Sequence, residues 1–113
     1  MAYNKYKNQK VIVDGHPFDS KKEARRYKEL KLLERGGAIT DLTLQPKFLL
    51  IPTIRREGYK TEKVTHYIAD FAYTEIKTGK EVVEDVKGFK TDVYKLKKKM
   101  FLYKYPELDF REI

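Results

Sequence analysis

The chain has 113 residues, enough for one modest core and too few for two. Charged residues make up 37%, yet a 41% hydrophobic share with nine tyrosines and six phenylalanines excludes a disordered chain. A formal net charge of +8, with no apolar run near the ~20 residues of a membrane span and no apolar signal core, puts nucleic acid ahead of a membrane, while the lack of cysteine excludes disulfides, thiol catalysis and a cysteine-based zinc site and fits an intracellular setting.

In chain order, residues 1–9 are polar and basic with two tyrosines, and read either as an arm lying on a phosphate backbone or as a frayed terminus. Val11-Ile-Val13 before Asp14-Gly15 predicts a short strand and turn that bring Phe18 back to the core. A helix starts at Asp19-Ser20 and runs to Arg35, stopping at Gly36-Gly37. At 100° per residue Glu23, Ala24, Tyr27, Leu30 and Glu34 share one sector, with Lys21, Lys22, Arg25, Arg26 and Lys28 mostly outside it. Glu23 is then a capping-box residue for Ser20 or part of a site.

Ile39 to Leu44 reads as a short apolar connection broken by Gln45-Pro46. Phe48 to Ile54 is a β-type run that Pro52 confines to an edge or a bulge. The loop that follows carries Arg55, Arg56, Lys60 and Lys63 around Gly58, as solvated charge or as a contact to a DNA backbone. His66 is a structural residue, a general base or a ligand.

Tyr67 to Tyr73 and Glu81 to Gly88, joined at Lys77-Thr-Gly-Lys80, read as a β-hairpin. Side chains alternate along a strand, so Ile68, Asp70 and Ala72 share one face and Val83, Asp85 and Lys87 share another. With Thr78-Gly79 as a two-residue loop, Asp70 falls on the face of Asp85 and Lys87; an odd-numbered loop or a bulge would put Glu84 there instead. Two carboxylates and an ammonium among Ile, Val and Ala are costly to cover unless a divalent cation and a phosphate bind them. The alternative is an exposed Asp85/Lys87 pair on an ordinary hairpin.

Thr91 or Asp92 caps a second helix with an apolar stripe of Val93, Leu96, Met100 and Tyr103, coated by Lys95, Lys97, Lys98, Lys99 and Lys104. Tyr105-Pro106 ends it, and Leu108 to Ile113 forms a last edge strand. After the N-terminal hairpin the order is helix, strand, strand, strand, helix, strand: an α/β or α+β domain with a mixed sheet and helices packed on it.

Asp70, Asp85 and Glu23 offer hard oxygen ligands of the kind that take Mg²⁺ or Mn²⁺, and Lys87 offers a mobile point charge, which points to phosphodiester hydrolysis. Asp70, then fifteen positions on Asp85-Val86-Lys87, with Glu23 on a preceding helix, resembles the PD-(D/E)XK nuclease motif. Phe18 to Ala24, Gln45-Pro46, Tyr67 to Phe71 and Val83 to Gly88 are similar to a family of small phage and prophage proteins of undetermined role placed in that superfamily; Ala69 stands where proline is usual. The resemblance covers nearly the whole chain. It implies a restriction-endonuclease-like core spanning residues 1–113, Asp70 and Asp85 as metal ligands, Lys87 as catalytic lysine and Glu23 as a third acidic member. It further implies a phage-type DNA endonuclease in the bacterial cytoplasm, cutting branched DNA such as Holliday junctions as a homodimer. The basic residues Lys22, Arg26, Arg55, Arg56, Lys60, Lys90, Lys95 and Lys98 are, from their charge, the expected DNA-contacting cations. A non-catalytic DNA-binding module on the same fold and an RNA-directed nuclease are the rival readings.

Overall fold

The computed structural model describes residues 10–86, 88 and 90–113. The arm at 1–9 and Lys87 lie outside the described residues. β1 (Val11–Val13) and β2 (His16–Phe18) form a hairpin whose turn residues, Asp14 and Gly15, have φ of 53° and 78°. Positive φ at both positions is what a two-residue turn matched to strand twist demands. Phe18 returns to the core as expected.

α1 (Lys21–Arg35) starts where Ser20 Oγ accepts the Glu23 N–H at 3.1 Å and is capped at Gly36. Its buried residues are Glu23, Ala24, Tyr27 and Leu30, four of the five expected in one sector from helical spacing, with Glu34 at the far end only half-buried. Five strands follow: β3 (Ile39–Leu44), β4 (Lys47–Ile51), β5 (Thr65–Ile68), β6 (Phe71–Glu75) and β7 (Glu81–Asp85). α2 (Asp92–Lys104) and β8 (Asp109–Glu112) complete the chain.

Three expectations change here. The stretch Ile39 to Leu44 is a full strand, antiparallel to β6, and not a connection. The expected single strand Tyr67 to Tyr73 is two strands, because Ala69 and Asp70 lie where the chain passes from one sheet to another. Ile68 therefore does not share the face of Asp70 and Ala72 and is half exposed.

The main sheet has the order β3-β6-β7-β8, with β8 parallel to β7 and the other pairs antiparallel; β4 and β5 form a separate pair. The fold is thus mixed α+β with a mixed central sheet. Alternate residues of β6 and β7 feed two cores. Phe71, Tyr73 and Val82 pack with Tyr27 and Leu30 of α1, whereas Ala72 and Val83 pack with Leu50, Tyr67 and Phe101 of α2. α2 buries Phe101 and tucks in Tyr94; the stripe of Val93, Leu96 and Tyr103 faces solvent. No helix among the described residues is long and apolar enough to cross a membrane.

Candidate active site

The site forms where two chain segments bend together. Leu44 pairs with Phe71 on one side of the bend and Lys47 with Ile68 on the other, so one antiparallel register runs through both sheets. Between them Gln45 adopts φ of 50°, and Pro46, which lacks an N–H, withholds a ladder bond. The junction is pinned by three backbone bonds: Gln45 N–H to Asp70 O at 2.9 Å, Ala69 N–H to Pro46 O at 3.1 Å and Asp70 N–H to Glu84 O at 3.1 Å. Asp70 is therefore held at a break in the strand, where its side chain is only half buried.

Pairing of Phe71 with Glu84 puts Asp85 at the level of Asp70. The loop between the strands spans Ile76 to Gly79, closed by the Glu75 N–H to Lys80 O bond at 2.9 Å. It has four residues where two were expected, but the number is even and the facing is preserved. Asp85, completely buried, hydrogen-bonds Asp70 through its side chain and accepts a second bond from the Tyr67 hydroxyl. Asp70 Oδ2 also accepts the Val86 N–H at 2.7 Å. Burial first, then the bond to Asp85 and its charge, with a smaller contribution from Glu23, push the Asp70 carboxyl up to about 7. Glu23, 5% exposed, comes from α1 on the other side of the sheet end. Beside them opens a cavity of about 300 Å³, lined among others by Glu23, Asp70, Gln45, His16 and Lys10.

Glu84 goes to the opposite face, which separates it from Asp85. Its carboxylate accepts Arg26 Nε at 2.8 Å and Nη2 at 2.6 Å, and also the Tyr73 hydroxyl. The bond to Glu84 holds the Arg26 guanidinium above its ordinary range, and burial with the same carboxylate pushes Tyr73 up to about 12. Arg26, expected among the DNA-contacting cations, is instead a largely buried tie between α1 and the sheet.

The other cations are spread over the surface. Arg55 and Lys60 are exposed on the loop after β4, and Arg56 sits 4.8 Å over the Tyr59 ring. Lys90 and Lys98 reach Glu112 at 2.7 and 3.4 Å; these lysines and the Tyr94 hydroxyl hold the Glu112 carboxyl down at about 2. Lys22 donates to the Ile113 carbonyl at 2.9 Å, and Lys95 is exposed on α2. His66 lines a separate hollow with Thr91 and Tyr94.

Tyr67, His16 and Lys10 were not singled out for this site from the sequence. Only Tyr67 left a signal: it sits at the strand start three residues before Asp70, but its approach to Asp85 depends on the bend. Among the described residues no three His, Cys, Asp or Glu form a group able to hold a metal ion. Mg²⁺ needs only one or two carboxylates beside waters and substrate oxygens, and the Asp70/Asp85 pair has that donor chemistry. Residues 3–113 match the model of a family described as "Protein of unknown function (DUF1064)". No curated protein matches the chain.

Proposed function

The chain belongs to the DUF1064 family over nearly its whole length, and from its own residues we propose that it is a metal-dependent DNA endonuclease with a PD-(D/E)XK, restriction-endonuclease-like core. The observation that carries this reading is the Asp70/Asp85 pair at the strand break, with Asp70 raised to about 7 beside a cavity that Glu23 also lines. Carboxylates pressed together and partly desolvated hold a proton in place of a cation, and a divalent ion would displace that proton. The order α1, strands, α2 and a final strand parallel to β7 supports the core assignment.

Asp70 and Asp85 would hold Mg²⁺ or Mn²⁺, which when bound supplies a water of lowered pKa and neutralises charge on the scissile phosphate. Glu23 adds negative charge from α1 that favours the cation. Tyr67 fixes the buried Asp85 carboxylate by donating to it, so that its orientation does not depend on substrate. Lys87, two residues beyond Asp85, is the proposed cation for the developing phosphate charge. Arg55, Arg56, Lys60, Lys22, Lys90, Lys95 and Lys98 supply backbone contacts without base readout, which suits selection of DNA by shape, such as a four-way junction bound by a homodimer in the bacterial cytoplasm.

The test is cleavage of a labelled four-way junction and a matching linear duplex, with Mg²⁺, Mn²⁺ or chelator, by the protein and its Asp70→Asn variant. The side-chain oxygen of asparagine still accepts the Val86 N–H, so the fold is kept. Metal-dependent cutting that falls by roughly two orders of magnitude in the variant is expected. Tight DNA binding by both proteins without cutting would replace the endonuclease with a non-catalytic DNA-binding module, and cutting confined to RNA would change the substrate.

A further inference from the structure

α2 has two apolar faces and the fold uses one. Tyr94 and Phe101 point into the core, while Val93, Leu96 and Tyr103 are 64, 57 and 88% exposed; Met100, partly buried against the core, lies between Leu96 and Tyr103 at the edge of this outward stripe. A stripe at spacings of three, four and three is the anchor pattern of one helix laid along another, and it runs for about 15 Å. It leads into a hollow of about 520 Å³ lined by Leu50, Lys99, Met100, Tyr103 and Lys104. Lys104 is drawn to the rim of this hollow by its 3.2 Å bond to the Leu50 carbonyl.

Charge decides what covers the stripe. α2 carries five lysines against one aspartate. Helical spacing places Lys95 and Lys99 along one border of the stripe and Lys97 and Lys104 along the other. A second copy laid on this face would bring like-charged borders together, which costs affinity. A membrane surface is a poorer match for a concave hollow than a projecting side chain is.

We propose that the outward face of α2 docks an amphipathic helix of a partner protein, its apolar side chains seated on Leu96, Met100 and Tyr103 and its carboxylates paired with Lys97, Lys99 and Lys104. The site is separate from the carboxylate pair, and its test does not depend on nuclease activity.

The probe is a synthetic peptide of about 18 residues with leucine at helical spacing and glutamate on both borders, titrated into the full chain by calorimetry and followed by amide NMR shifts. Saturable 1:1 binding is expected, with shifts confined to α2 and the Leu50 region. Leu96→Ser with Tyr103→Ser should weaken it about tenfold or more at unchanged thermal stability, since both side chains face solvent. Lys99→Glu with Lys104→Glu should shift preference to a peptide with lysine borders. Binding no better than that of a sequence-scrambled control, or unchanged in the serine variant, would overturn the proposal. So would self-association abolished by the serine substitutions, or binding to anionic vesicles in place of the peptide.

Discussion

Asp70 keeps a proton at pH values where an exposed aspartate has lost it, because burial and the neighbouring Asp85 disfavour its charge. The consequence for stability has a definite sign. Between about pH 4 and 7 the unfolded chain has released this proton while the native state still holds it, so native stability declines as pH rises through that window and levels off above it. Asp70→Asn removes this dependence. The variant is expected to be more stable than the parent at pH 8, by an amount of order 1–4 kcal/mol, and nearly equal to it at pH 4. Urea melts at the two pH values check this; an equal effect at both would show that the Asp70 carboxyl is not perturbed. Because a divalent cation has to displace this proton, the apparent affinity for Mg²⁺ should rise with pH up to about 7. A residue that destabilises the fold while serving a site is a common trade.

Elements in this protein are tied by side chains whose roles depend on the neighbouring element. Arg26 lies on the polar side of α1 by helical phase, yet β7 presents Glu84 to it, and the bidentate bond fixes the helix against the sheet. Arg26→Met would leave a fully buried Glu84 without its cation, at a cost of about 3 kcal/mol in urea unfolding. Glu84→Gln in the same background should recover part of that loss, because it removes the stranded charge; failure to recover would show that Arg26 acts through packing alone. β7 lies inside the sheet, between β6 and β8. Val82, Val83, Glu84, Asp85 and Val86 are all buried, as happens in a strand with neighbours on both edges and cores on both faces. Two adjacent acids in such a strand necessarily point to opposite cores, one to Arg26 and one to Tyr67.

For the whole molecule, the net charge of +8 sits on a surface where several cations already have partners. Lys90 and Lys98 share Glu112, whereas Arg55 and Lys60 on the loop after β4 are exposed. If that loop follows a phosphate backbone, Arg55→Gln with Lys60→Gln should reduce the slope of log K against log salt by about 2. Fluorescence anisotropy on duplex DNA measures it, and an unchanged slope would take the loop off the backbone. The sequence by itself determined what depends on local spacing. The turn at Asp14-Gly15, the Ser20 cap and the buried stripe of α1 follow from short-range rules of period, whereas the choice between Asp85 and Glu84 as the neighbour of Asp70 stayed open until the four-residue loop from Ile76 to Gly79 settled the register. Only the tertiary structure decided what depends on which element comes to lie beside which. It made a strand of Ile39 to Leu44, broke Tyr67 to Tyr73 at Asp70, turned Arg26 inward and left the regular stripe of α2 facing solvent. A helix or strand pattern states that a face is apolar; which face is covered is set by long-range pairing, and no local period encodes it.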